Sequence, residues 1–194
     1  MGGTKEVTRV FVRTGGGRAY HGPTLDVRAW PGLGRARKIA LVGTAASVDC
    51  TPWHDYTWEI WAHASAQLLA RRVDRWFDCH PERVWRAKKG WAKDYQQWLA
   101  RNATPIFMQD HYDEVPASVR YPKERIWAEW EWEWSRKLFT NQVDYMIALA
   151  LSEGVTHLGL FGIHYAVNTE RQTQRESCLH WIGVARGKGV QVVL

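Results

Sequence analysis

Three short segments carry residue types that do chemistry at useful spacings. Asp78-Cys79-His80 sets a carboxylate two residues from an imidazole, close enough for the carboxylate to orient the ring for proton transfer. The plainer reading is a histidine capping a sheet edge beside an aspartate that accepts a loop hydrogen bond. Gly43-Thr44-Ala45-Ala46-Ser47 is a loop of small residues. Its glycine allows close backbone approach, and Thr44 and Ser47 offer hydroxyl and main-chain N–H groups to an anion. It carries neither a GxGxxG pattern nor a Walker Gly-Lys-Ser/Thr, and a plain tight turn would read the same way. Gly162-Ile163-His164-Tyr165 supplies a second imidazole, and Thr140-Asn141, at the head of a helix, supplies donors nearby. Asp78, His80 and His164 are therefore the candidate acid–base groups. Gly43, Thr44, Ser47, Thr140, Asn141 and Gly162 are the candidate ligand-holding residues. A satisfied structural histidine remains the alternative at each imidazole.

Metal and disulfide chemistry find less support. His54-Asp55 and Asp110-His111 are adjacent pairs, and no spacing places three ligands on one helix face. Cys50, Cys79 and Cys178 are odd in number and none lies in a CxxC pair, so they read as small buried hydrophobes.

These segments follow strands in an alternating α/β pattern. Lys38 to Gly43 is a continuous apolar run ending in glycine, as expected of a strand covered on both faces. Strands are predicted at 57–62, 73–79, 104–108, 157–162 and 189–194. Helices are predicted at 81–101, with Trp91 and Trp98 on its buried face, at 126–134, where the alternation from Glu129 to Trp134 also fits a strand, at 140–153 with Thr140 as N-cap, and at 170–187. Residues 109–122 read as loop. Strands alternating with helices of this length imply a mostly parallel, Rossmann-like sheet flanked by helices. In such sheets ligands bind beyond the carboxyl ends of the strands, at a switch in strand order.

The chain of 194 residues fits one domain, from 38 to 194, preceded by a Gly/Arg-rich arm, 1–37, with a short edge strand at Val7–Val12. The net charge of +6 is concentrated. Residues 1–38 carry eight Lys and Arg against Glu6 and Asp26, and the remainder is neutral. Such an arm could contact nucleic-acid phosphates, or simply be a solvated extension. No apolar run reaches the ~18 residues of a membrane span and no signal-peptide core is evident, so no membrane partner and a cytoplasmic location are expected. Thirteen Trp is unusual. Trp53, Trp58 and Trp61 flank the first loop, where they could stack on a base or sugar or else fill the core. Trp127, Trp130, Trp132 and Trp134 cannot all be buried by one helix face, which suggests a partner surface, such as a second copy of the chain.

The order of the pieces resembles a known group. It runs Lys38 to Ser47, Trp58 to Trp61, Val73 to His80, Met108-Gln109, Phe139 to Ala150 and Leu158 to Ile163. In this it resembles bacteriophage-encoded Rossmann-like proteins. More remotely it is similar to bacterial sialyltransferases of glycosyltransferase family 42 and their motility-accessory-factor relatives. In those transferases the loop after the first strand, the residues heading the long helix, and the motif after the next strand hold a cytidine nucleotide-sugar. The resemblance carries these roles to Gly43, Thr44 and Ser47, to Thr140 and Asn141, and to Gly162, Ile163 and His164. Two departures stand out: His164 replaces an aspartate that contacts ribose, and the transferases' catalytic histidine segment has no match. The expected ligand is a nucleotide or nucleotide-sugar, handled by a glycosyltransferase-like or hydrolytic enzyme. The alternatives are a non-catalytic binder of a nucleotide or host protein, and nucleic-acid binding through the arm.

Overall fold

The computed structural model describes residues 37–87, 94–130, 138–164 and 172–194. The arm with its expected strand, Trp91, Trp132, Trp134 and Tyr165 lie outside the described residues. Seven parallel strands form one sheet in the order β5-β4-β3-β2-β1-β6-β7. They are β1 (Lys38–Val42), β2 (Trp58–His63), β3 (Arg75–Asp78), β4 (Ile106–Met108), β5 (Ser118–Arg120), β6 (His157–Phe161) and β7 (Gln191–Val193). The described helices are α1 (Glu82–Ala87), α2 (Tyr95–Arg101), α3 (Lys123–Glu129), α4 (Gln142–Ser152) and α5 (Gln172–Gly187). The expectation of a Rossmann-like α/β domain holds, and every described strand pair is parallel.

The period-2 alternation of the strands sorts the core into two layers. Ile39, Leu41, Trp61, Phe77, Phe107, Leu158 and Leu160 point to one face and are covered by α3, α4 and α5. Ala40, Val42, Ile60, Ala62, Trp76, Ile106 and Met108 point to the other, against Trp85 of α1 and Tyr95 and Leu99 of α2. Burial of both faces explains why β1 reads as a continuous apolar run.

Three expectations need correction. The helix expected over 81–101 is described as two, α1 and α2. The buried face of α2 is Tyr95 and Leu99, while Trp98 is half-buried and packs edge-on to Trp76. The loop expected over 109–122 contains β5, whose Val119 and Arg120 pair with Phe107 and Met108. A strand of three residues at a sheet edge is too short to show alternation, and the flanking Pro116 and Pro122 mask it. The N-cap of α4 is Asn141, not Thr140: its side chain accepts from Val143 N–H and Asp144 N–H, and Asp144 answers to the N-cap backbone. Both residue types are favoured N-caps, and the reciprocal bond from Asp144 at the third helical position selects Asn141.

At the amino ends of the central strands, four charges close a ring. Arg75 Nε meets Glu59 Oε1 at 2.7 Å and its Nη1 meets Glu153 Oε1 at 2.8 Å, while Arg37 Nη2 meets Glu59 Oε2 at 2.9 Å and Glu153 Oε2 at 2.6 Å. Arg75 is 1 % exposed and lies over the Trp61 ring. Glu153 caps the carboxyl end of α4, where the helix dipole disfavours an anion. The two guanidinium groups offset that cost, and Arg37 Nη1 also donates to the Glu153 carbonyl at 3.0 Å. Arg75→Met would leave two carboxylates facing each other with one cation between them. A loss of about 3–5 kcal/mol is expected in urea unfolding, and a loss under about 1 kcal/mol would show that the ring adds little beyond packing.

Candidate functional site

The strand order reverses between β1 and β6, so the loops leaving these two strands part to opposite sides and open a crevice. A cavity of about 570 Å³ lies there, within the range of small-molecule sites. It runs across the carboxyl ends of β6, β1, β2, β3 and β4, with the head of α4 as its far wall. Gly43, Thr44, Asp78, His80, Thr140, Asn141, Gly162 and His164 all line it. Of the nine residues expected, Ser47 alone does not.

The two loops at the switch point are joined by their backbones. Gly43 N–H donates to Phe161 O at 2.8 Å and Ala45 N–H to Gly162 O at 2.8 Å. Gly162 N–H donates to Ser47 Oγ at 2.9 Å, and the same oxygen lies 3.1 Å from His164 Nε2. Ser47 thus ties the β1 loop to the β6 loop and holds the His164 ring from behind, in the wall of a second cavity beyond it. The glycines serve this junction. A Cβ on Gly43 would fall 2.3 Å from Gly162 O, and Gly162 itself has φ +65°. The close backbone approach that Gly43 allows is made to Gly162, and Gly43 also lines the cavity.

At the β3 exit, Asp78 is buried and bonded on both oxygens. Oδ1 lies 2.5 Å from His80 Nδ1 and accepts from His80 N–H at 3.3 Å, and Oδ2 accepts from the Tyr95 hydroxyl. Burial, with the Asp78 charge beside it, pushes the Tyr95 phenol far up, so it stays a donor. His80 is half exposed on the cavity wall. Cys79, between them, is partly buried; desolvation and the Asp78 charge push its thiol up, which disfavours the nucleophilic thiolate.

The head of α4 is closed on itself. Thr140 N–H and Asn141 N–H donate to Asp144 Oδ2 at 2.9 and 3.1 Å, and Ser177 Oγ of α5 donates to the same atom at 2.7 Å. The main-chain donors expected of Thr140 and Asn141 are therefore spent inside the fold. Burial pushes the Asp144 carboxyl up to about 6, against the hydrogen bonds that lower it.

Several cavity residues went unread in the sequence. His63 ends β2 and stands between the β1 and β3 exits; a polar residue following the apolar Ile60–Ala62 run was its signal. Gln109 and Gln142 have no local signal, because their work is done on Cys79 and Phe77, far away in the chain. The Trp residues expected to stack on a ligand do not reach the cavity: Trp53 and Trp61 are buried in the core, and Trp58 stands at the opposite end of β2, paired with Lys38. Trp130 is buried against Trp181, while Trp127 is half-buried.

Gly43→Ala should cost about 2–3 kcal/mol, since backbone stands on both sides of the clash. Gly183→Ala, in α5 with nothing within 4 Å, should gain about 0.5–1 kcal/mol from helix propensity. Equal effects in chemical denaturation would refute the junction. A second expectation concerns pH. The folded Asp144 carboxyl at about 6 keeps a proton that an ordinary carboxyl near 3.8 has released. Its contribution to stability therefore falls as pH rises from about 4 to about 6, by ~3 kcal/mol in all. Asp144→Asn should remove that segment of the pH–stability curve; an unchanged slope would show that burial does not govern this group.

No family model matches the chain, and no curated protein sequence matches it. Among solved structures, the sialyltransferase CstII from Campylobacter jejuni in complex with a substrate analogue, CMP-3FNeuAc, is similar at a TM-score of 0.52 and 12% identity, over 80% of this chain and 79% of that one. A second structure of that enzyme, with cytidine-5'-monophosphate, has a TM-score of 0.48 at 12% identity, over 80% and 78%. At such identity the likeness is one of fold: this chain shares the α/β architecture of a sialyltransferase.

Proposed function

We propose that this protein binds a nucleotide or nucleotide-sugar in the cavity over β6 to β4 and acts on it as a glycosyltransferase-like or hydrolytic enzyme. The observation that carries the reading is the meeting of the Gly43–Thr44, Thr140–Asn141 and Gly162–His164 segments around one cavity at the switch point. The fold shared with an enzyme solved in complex with a CMP-sugar analogue supports it. Among the described residues of the lining there is no Lys or Arg. Such a wall suits one phosphate charge met by hydrogen-bond donors and imidazoles, rather than a triphosphate, which demands fixed cations or a metal.

The length of the cavity divides the labour. The exits of β6 and β3 are three strand spacings apart, about 14 Å. His164 and His80 therefore serve different parts of one ligand. In this reading His164 and Thr44 contact the nucleoside, and the Asp78–His80 pair faces the reacting carbon. As an acceptor hydroxyl or water bonds to that carbon, its proton passes to His80, and the bond to the phosphate oxygen breaks with its electron pair leaving on the nucleotide.

A thermal-shift panel tests this. A nucleoside monophosphate or its sugar ester at a hundredfold over Kd should add about 2.7 kcal/mol, raising Tm by about 5–10 °C. Nucleoside triphosphates should add less. His164→Ala should shrink the shift, whereas His80→Gln should keep it and abolish turnover followed by mass spectrometry. No response to any nucleotide at millimolar concentration would end the proposal.

A further inference from the structure

We infer that Tyr95 and Gln142 are positioning residues that fix the tautomer of His80, holding its proton on Nδ1 and its lone pair on Nε2. The functional value of this arrangement rests on the reading of the cavity as a ligand site, but the arrangement itself is a property of the ligand-free chain.

A carboxylate only accepts hydrogen bonds, so a ring nitrogen 2.5 Å from Asp78 Oδ1 must carry the proton. The neutral His80 ring then has its lone pair on Nε2. Two contacts make Asp78 reliable in this role. The carboxyl torsion of an aspartate is soft and roughly two-fold. Tyr95 donates to Oδ2 from the first turn of α2 and so pins the carboxylate plane. The Asp78 backbone is pinned by one side-chain amide. Gln142 Nε2 donates to Phe77 O at 2.6 Å and Gln142 Oε1 accepts from Cys79 N–H at 3.0 Å, so the amide holds the peptide groups on both sides of Asp78. Gln109 Nε2 adds a bond to Cys79 O at 2.9 Å.

The placement has a structural cause. The described β2–β3 pairing ends at His63 and Phe77, and the β3–β4 pairing ends at Asp78 and Met108. Past that point the β3 backbone leaves the sheet, and its peptide groups need partners from elsewhere. Gln142, first residue of α4, supplies them. The residues beside Gln142, Thr140 and Asn141, line the same cavity as His80. The head of α4 thus sets both the cavity wall and the carboxylate that orients the imidazole.

A buried tyrosine hydroxyl needs a partner in any fold, so loss of stability alone would not distinguish positioning from packing. The tautomer does. Full-length protein labelled with ¹⁵N-histidine, free of nucleotide, is examined by long-range ¹⁵N–¹H correlation at a pH where the rings are neutral. His80 is assigned by its absence in His80→Gln. The wild-type ring should show a single tautomer, protonated at Nδ1. In Tyr95→Phe and, separately, in Gln142→Ala the Nδ1–H fraction should fall, while the His157 pattern, at the opposite end of the sheet, stays as it was. A wild-type His80 protonated at Nε2, or an Nδ1–H fraction unchanged in both variants, would overturn the inference. A fixed tautomer in a protein that answers to no nucleotide would uphold the positioning and sink only the nucleotide reading.

Discussion

The contact on which the site depends is the one between the backbones of Gly43 and Gly162. Two parallel strands at a switch point send their chains in opposite directions, and the loops must pass each other before they diverge. Here they pass at a distance that excludes any side chain, with the Gly162 carbonyl occupying the place where a Cβ on Gly43 would stand. The gain is two main-chain hydrogen bonds across the junction, from Gly43 and Ala45, and a third from Gly162 to Ser47. These bonds extend the β1–β6 pairing past its last register pair, Val42 with Phe161. His164 follows this junction by two residues and is held to it through Ser47 Oγ.

Charge is divided between the two ends of the sheet. The amino end holds fixed charges in a closed ring of mutual ion pairs, with the Arg75 and Glu153 side chains buried and those of Arg37 and Glu59 partly so. The carboxyl end, where the cavity lies, is lined by hydroxyls, amides and imidazoles, with one buried carboxylate bonded on both oxygens. The first arrangement resists change because removing any member strands another in a medium of low dielectric. The ion-pair ring and the cavity thereby stand at opposite ends of the strands.

The legible parts of this protein were those encoded over short range. Lys38 to Val42, His157 to Phe161 and the core faces of α4 and α5 announce themselves through runs and periods. Asp78 and His80 are close in sequence, so their pairing could be read directly. Less legible were features whose partner is remote. The strand at Ser118 to Arg120 exists because β4 offers it an edge, and three residues carry no pattern of their own. The tight crossing at Gly43 depends on a carbonyl more than a hundred residues away. Trp58 and Trp61 flank the first loop along the chain, yet lie at the sheet's amino end and in its core.

The sequence by itself determined six of the seven described strands, which of their faces are apolar, and most of the polar residues that stand where they stop, because these follow from the local periods of backbone geometry. Only the tertiary structure decided the order of the strands, and with it the place where two loops part to leave a cavity. It alone decided that Tyr95 would reach Asp78 and that Gln142 would hold the peptides around it. Strand order is set by burial summed over both sheet faces, a quantity distributed over the whole chain, and no window of neighbouring residues contains it.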